Sequence, residues 1–160
     1  MRYLHEVEGE PLTKVVGGRT ALLNAAGSGC TSVVRYLCER VPKANLDHTT
    51  PSEGLSALSV AAYGGHLDTL KVLLEFGADL TVRRTNGRSP LHQAALSGSV
   101  GAIRLLCAHG ADAHSEDAAG ATPLDLALKP GYTSQRYVDM EALLRSRMGM
   151  LSTSASVPTL

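Results

Sequence analysis

The sequence predicts an all-α fold: a solenoid of stacked helix–turn–helix units. Four segments of similar sequence begin at Thr20, Ser56, Ser89 and Thr122, so their starts lie 36, 33 and 33 residues apart. A fixed period of this length is typical of repeat proteins. Glycines recur in register within each segment, and apolar residues recur at helical spacing in its second half. One domain is expected for 160 residues of ordinary globular composition.

Each unit opens with a short first helix. The four openings run Thr-Ala-Leu-Leu-Asn-Ala-Ala, Ser-Ala-Leu-Ser-Val-Ala-Ala, Ser-Pro-Leu-His-Gln-Ala-Ala and Thr-Pro-Leu-Asp-Leu-Ala-Leu. The leading Ser or Thr can accept hydrogen bonds from unpaired backbone N–H groups at the helix start. Pro90 and Pro123 occupy the first helical position, which tolerates proline. The following leucine is expected to face the neighbouring unit, and the small alanines allow helices to approach closely.

Glycines mark the turns on both sides of the first helix. They stand two residues before and nine residues after each start: Gly18, Gly54, Gly87 and Gly120, then Gly29, Gly65, Gly98 and Gly131. Half of the 16 glycines therefore share one register, which chance does not explain. The second set is predicted to end the helix in the left-handed conformation.

A second helix follows in each unit. Its apolar positions are Val33, Val34, Tyr36 and Leu37; Leu70, Val72, Leu73 and Leu74; and Ile103, Leu105 and Leu106. Two of these helices end in Gly-Ala-Asp, at residues 77–79 and 110–112, and Asn86-Gly87 is a clear turn signal before the third unit.

The units resemble ankyrin repeats, whose pattern is Gly-x-Thr-Pro-Leu-His-x-Ala-Ala, a glycine, a second helix and Gly-Ala-Asp. Residues 87–112 match it closely, and the resemblance extends over residues 17–145. It implies helix pairs stacked in an L-shape, with turns that project as fingers. It also implies that a protein partner is held by the fingers and first-helix ends, which line the concave side.

The predicted organisation has three parts. Residues 1–16 form an N-terminal extension or partial cap, residues 17–146 form the repeat domain with units at 17–49, 50–82, 83–115 and 116–146, and residues 147–160 form a flexible tail. The first unit departs from the pattern through Val41-Pro42-Lys43 in place of Gly-Ala-Asp. In the last unit, Met140 and Leu144 lag by four positions, which predicts an enlarged loop between its helices.

Composition excludes several function classes. Fifteen basic residues balance fifteen acidic ones, which argues against nucleic acid as a partner. No apolar run approaches the ~18 residues of a transmembrane helix, and the N-terminus lacks a signal-peptide pattern. Three cysteines without regular spacing (Cys30, Cys38, Cys107) predict reduced thiols and a cytoplasmic or nuclear location.

The family layout nominates partner-binding residues position by position. They are Arg19; Glu53, Leu55 and Tyr63; Arg83, Thr85, Asn86, Arg88 and Leu96; and Glu116 and Lys129. Tyr63 and Leu96 are expected near each other, beside a basic finger that carries Arg83 and Arg88. Such a groove suits a partner segment with an apolar anchor and carboxylates, because Tyr and Arg are favoured at binding hot spots. The alternative is that these arginines are solvated turn residues. Under the first hypothesis, Arg83→Glu should weaken binding and leave the fold intact.

Catalysis and cofactors are not predicted. The resemblance implies that His92 ties adjacent turns by hydrogen bonds, and His66 also occupies a position typical of the family. Cys38 and Cys107 fit core positions, and Cys30 is expected to be partly exposed, without a base to activate it. Asp125, at the motif histidine position, is a single carboxylate rather than an acid–base pair. No His and Cys residues have the spacing of a zinc site.

Two functions remain in competition. The first is a stand-alone adaptor, scaffold or inhibitor that binds a protein on its concave surface. The second is the recognition subunit of a larger enzyme or protein-degradation complex, with no catalysis of its own. A monomer is expected, with a dimer through the N-terminal face as the alternative. The identity of the partner does not follow from the sequence, because fold does not fix function.

Overall fold

The computed structural model describes residues 15–40, 46–128 and 135–149, and eight α-helices lie within these ranges. Their bounds are α1 Ala21–Gly27, α2 Thr31–Cys38, α3 Ala57–Gly64, α4 Leu67–Glu75, α5 Pro90–Leu96, α6 Val100–Ala108, α7 Pro123–Ala127 and α8 Gln135–Arg147. The described residues contain one isolated β-bridge, between Val16 and Arg19. The all-α repeat fold predicted from the sequence is confirmed.

The helices form two layers. The first helices (α1, α3, α5, α7) pack side by side in an inner layer, and the second helices (α2, α4, α6, α8) pack in an outer layer. Each inner helix also contacts the outer helix of its own unit. A unit therefore buries its apolar face against its neighbours, which is how repeat proteins obtain stability.

The predicted helix starts are confirmed by side-chain caps. The hydroxyl oxygens of Thr20, Ser56, Ser89 and Thr122 each accept a hydrogen bond from the backbone N–H three residues on. In the last three units this bond is part of a capping box, in which the side chain three residues on accepts from the cap's own N–H group. Pro90 and Pro123 stand in the first turn, as predicted.

Tight turns precede each inner helix and form the projecting fingers: residues 16–19, 50–55, 84–88 and 117–121. The second, third and fourth fingers are joined through their backbones. The N–H of Thr85 donates to the carbonyl of Glu53 at 3.1 Å, and the N–H of Ala118 donates to the carbonyl of Asn86 at 3.0 Å. These bonds set the distance between neighbouring fingers.

The core runs through the whole stack. The inner-layer leucines Leu22, Leu58, Leu91 and Leu124 are buried, as are the outer-layer residues Val34, Leu70 and Ile103. The first unit differs on its outward side, because Val33 and Tyr36 are 46% and 37% exposed. The equivalent residues of the second unit, Thr69 and Val72, are buried. The apolar spacing of α2 therefore predicted a helix correctly, although half of those positions are not core.

The last unit has the predicted long connection. Residues 128–134 separate α7 from α8, whereas residues 97–99 separate α5 from α6. Met140 and Leu144 are both fully buried. Helix α8 ends at Arg147, the first residue assigned to the tail. Residues 1–14 of the predicted extension at 1–16, most of the tail, and the Val-Pro-Lys departure lie outside the described residues.

Candidate functional site

A groove runs along the inner layer and has a volume of about 640 Å³. Inner helices and fingers both contribute to its lining, which consists of Arg19, Gly27, Leu55, Ser59, Val60, Tyr63, Gly64, Arg84, Arg88, Gln93 and Leu96. Tyr63 also borders a smaller depression of about 380 Å³ between the two helix connections that contain Gly65 and Gly98.

The structure brings five of the nominated residues together in this groove: Arg19, Leu55, Tyr63, Arg88 and Leu96. Others belong to the fingers or their bases without lining it, namely Glu53, Arg83, Thr85, Asn86 and Glu116. Lys129 lies outside the described residues. The binding role of every nominated residue stays a prediction.

The apolar part of the groove comes from two consecutive inner helices. Val60 and Tyr63 are one turn apart on α3, and Gln93 and Leu96 are one turn apart on α5, so each pair lies on one helix face. Tyr63 is 58% exposed, so more than half of this large aromatic residue is accessible to a partner. Tyrosine is a frequent anchor at protein interfaces because it combines apolar area with a polar tip.

The finger arginines form ion pairs with carboxylates of neighbouring fingers, and whether this basic finger binds a partner stays a prediction. Arg84 forms an ion pair with the carboxylate of Glu53, from the preceding finger. Arg88 donates through Nε to a carboxylate oxygen of Asp117, in the following finger, at 3.0 Å. Each arginine therefore joins its own finger to a neighbour, so the alternative that they are simply solvated is wrong.

Arg83 has a similar structural role. Its Nη1 donates to the backbone carbonyls of Gly87 at 2.9 Å and Glu116 at 3.0 Å. The substitution Arg83→Glu would place a carboxylate against these two carbonyl oxygens. The expectation that it spares the fold is therefore withdrawn, and Arg83 is a poor choice for testing binding.

Asp117 is a structural residue that the sequence reasoning missed. Its side chain is 2% exposed, and it accepts backbone N–H bonds from Ala119 and Ala121 at 2.9 and 3.0 Å. Burial alone would raise the pKa of Asp117, but the Arg88 hydrogen bond and the two backbone bonds lower it below its ordinary 3.8. The available signal was an Asp three residues before the finger glycine, a pattern that favours turns closed by the side chain.

Gln93, Val60 and Arg84 are lining residues that were not nominated. Gln93 is 2% exposed, and its Oε1 accepts from Nη1 of Arg84 at 3.4 Å. The spacing offered a signal, because Val60 and Gln93 stand one helical turn before the nominated Tyr63 and Leu96. Arg84 was expected close to the basic finger, through its place in the sequence beside Arg83, but not as a binding residue.

His92 ties two fingers together, as the family resemblance implied. Its imidazole is fully buried, Nε2 donates to the carbonyl of Ala121 at 3.0 Å, and Nδ1 accepts from the N–H of Ser89 at 3.2 Å. This pattern needs the neutral ring, because Nδ1 cannot accept when it is protonated. Burial lowers the pKa of His92 from its ordinary 6.5, against opposing effects from the Ala121 carbonyl and Asp117.

Acid is therefore expected to weaken the fold through His92. The unfolded chain takes up a proton as the pH falls through 6.5, whereas the folded chain resists until a lower pH, so the free energy of unfolding should decrease in between. We expect wild type to lose more stability than His92→Gln between about pH 7.5 and about pH 5.5, where carboxylates are nearly fully ionised in both states.

Urea unfolding at both pH values provides the measurement. The matched control is His114→Gln, because His114 is an exposed histidine in the loop after α6. This control should keep the wild-type pH dependence. Equal pH dependence in wild type and His92→Gln would contradict the assigned role of the buried ring.

The remaining candidate groups are the three cysteines and Asp125. Cys38 and Cys107 are buried, as expected, and burial raises the pKa of Cys38 to about 11 and also raises that of Cys107, so both thiols are protonated near pH 7. Cys30 is exposed. The Asp125 carboxylate caps its own helix by accepting from Thr122 at 2.8 Å. Within the described ranges, no three His, Cys, Asp or Glu side chains converge on a possible metal position.

The part of the chain that the structure describes contains no helix long and apolar enough to cross a bilayer.

The family model of ankyrin repeats, in three copies, matches residues 1–84 and 77–144. The first match starts at residue 1 and so includes the segment predicted as an extension. Among known proteins, Inversin of Danio rerio is 38% identical to this chain over 74 residues. The alignment covers 46% of the chain and 7% of Inversin, so the chain spans a small part of that protein's length.

Proposed function

Since this chain belongs to the ankyrin-repeat family, we propose that it binds a protein partner in the groove of its inner layer and performs no catalysis of its own. Proteins built from these repeats generally mediate protein–protein interactions. The observation that supports the groove is Tyr63, which is more than half exposed and lines the same groove as Leu96. A partner would remove this apolar area from water, at about 25 cal/mol per Å².

The proposed role is that of a stand-alone adaptor, scaffold or inhibitor. The groove is the supporting feature, because one continuous surface formed by three consecutive units suits a single partner. The recognition subunit of a larger complex would instead need a second, separate docking surface. Two partners bound at the same time would therefore favour that alternative.

Affinity capture from native cell extract, followed by mass spectrometry, tests this proposal. We expect Tyr63→Ala to weaken retention of the partner by about 30-fold or more, the effect of losing a hot-spot aromatic worth about 2 kcal/mol. The matched control is Tyr36→Ala, because Tyr36 is an exposed tyrosine on the outer helix α2 and away from the groove. Circular dichroism establishes that both variants are folded.

The outcomes of the capture experiment identify which surface of the protein holds the partner. A partner lost by Tyr63→Ala and kept by Tyr36→Ala supports the groove. A partner lost only by Tyr36→Ala would move the interface to the N-terminal face. Capture of no partner by wild type would leave the interaction function without support.

We propose a monomer in a reducing compartment, the cytosol or the nucleus. All three thiols are unpaired, which suits such a compartment. Val33 and Tyr36 are the residues through which a second copy could instead pack, since the next unit buries the equivalent positions. Sedimentation at several concentrations decides between the two, because a dimer would dissociate on dilution.

Nucleic acid is not a proposed partner. Binding to DNA or RNA that weakens steeply as the salt concentration rises would contradict this exclusion.

A further inference from the structure

Two buried nitrogen atoms in the groove lack a hydrogen-bond partner within the described residues: Nε of Arg84 and Nε2 of Gln93. Both side chains line the groove. Other buried polar groups close to them, such as those of His92 and Ser89, are paired. A buried donor left unpaired destabilises the folded protein, so each nitrogen favours a ligand that supplies an acceptor.

The orientation of the Gln93 amide is fixed by its neighbour. Its oxygen faces Nη1 of Arg84 at 3.4 Å, and a guanidinium group can only donate. The amide nitrogen must therefore be the group that points away from Arg84. Rotating the amide would place two donors against each other and would leave the oxygen unpaired.

Charge in the groove also favours an acceptor. Three arginines line it, with no Asp or Glu among the lining residues. Arg84 and Arg88 are balanced by carboxylates outside the lining, Glu53 and Asp117. Arg19 has only the amide oxygen of Asn24 as its side-chain partner among the described residues, at 2.8 Å. The lining therefore keeps an excess of positive charge.

We propose that the groove binds an extended acidic segment of the partner protein. The carboxylate of an Asp or Glu side chain accepts a hydrogen bond from Nε2 of Gln93, and a neighbouring apolar side chain packs against Tyr63 and Leu96. The Gln93 nitrogen exposes less than 1 Å² to water, so the proposal requires a neighbouring side chain of the lining to move when the segment binds. This inference rests on the proposed function and specifies the chemistry of the partner.

A library of random displayed peptides with both ends blocked tests the inference. Wild type should select peptides with Asp or Glu close to an apolar residue. In a selected peptide, exchanging the acidic residue for its amide should weaken binding about 10- to 100-fold, the effect of a hydrogen bond to a charged group. In the Gln93→Met variant, whose side chain has a similar volume, the same exchange in the peptide should weaken binding less. The fold-change in affinity should be smaller than in wild type by about threefold or more.

Matched variants separate binding in the groove from a general effect of the protein's charge on peptide affinity. Arg104→Gln removes one positive charge from an exposed position of the outer helix α6, and the effect of the peptide exchange should stay as in wild type. Gln93→Glu keeps the shape of the side chain but replaces the donor with a carboxylate, so it should bind acidic peptides more weakly than Gln93→Met does. Thermal unfolding establishes that each variant is folded.

Several outcomes overturn the inference. Selected peptides without acidic preference would do so, as would a peptide exchange with the same effect in wild type and Gln93→Met. Failure to select any peptide would reject an extended ligand. The Tyr63 capture experiment decides the interaction function independently of all these results.

Discussion

Leu91→Ala is expected to lower the free energy of unfolding by about 2–5 kcal/mol, the range for a large-to-small change in a packed core. Leu91 is 1% exposed and lies on α5, which packs against the inner helices on both sides. The substitution removes apolar contacts and leaves a cavity between units. Because stability in a repeat array depends on contacts between neighbours, a central interface should be more sensitive than an end.

Urea unfolding measures this change, and Leu128→Ala provides the control. Leu128 is also a leucine of the inner layer, but it follows α7 at the end of the stack and is 42% exposed. Its truncation should cost less than about 1 kcal/mol, as for most substitutions away from packed sites. Equal losses in the two variants would contradict the assigned repeat register.

Gly87→Ala should also lower the free energy of unfolding by about 2–5 kcal/mol, for two separate reasons. Gly87 has a φ of +76°, where an alanine costs about 1–2 kcal/mol. A Cβ there would lie 2.7 Å from the backbone nitrogen of Ala118, in the next finger. That nitrogen is held by its hydrogen bond to Asn86, so the two fingers would have to separate, at a further cost of about 1–3 kcal/mol.

Gly120→Ala separates the two contributions. Gly120 is the equivalent glycine of the last finger and has nearly the same φ, +75°, but no atom of the described residues lies within 4 Å of the position that a Cβ would take there. Gly120→Ala should therefore lower the free energy of unfolding only by the conformational cost of alanine at a positive φ. Thermal unfolding of the two variants gives the steric cost by difference. A difference close to zero would show that a Cβ at Gly87 does not force the two fingers apart.

The structure also changes which residues suit a binding test. Arg83 and Arg88 were nominated with Tyr63 because the family layout places them near the concave side. Their hydrogen bonds to Glu116 and Asp117 mean that charge reversal would disturb the fingers as well as the groove. The Tyr63 side chain is instead more than half exposed, so the Tyr63→Ala substitution reports on binding with less risk to the fold.

The sequence was sufficient for features that depend on a few neighbouring residues. Helix starts follow from the Ser or Thr caps and from Pro90 and Pro123, because capping is satisfied within one turn. The repeat register made the stack of helices predictable, since each unit must bury the same face. The same local spacing was insufficient for Val33 and Tyr36, whose exposure depends on whether another unit packs beside them.

The tertiary structure alone decided how the groove is organised. Arg84, Arg88 and Arg83 reach partners 31, 29 and 33 residues away, close to one repeat length. Residue type and register place an arginine on a finger, but they do not determine which acceptor on the neighbouring finger lies within 3 Å. The unpaired donors of Arg84 and Gln93 likewise result from packing around them. The sequence by itself determined the family and the stack of helices, whereas distances between units determined which polar groups lack a partner within the protein.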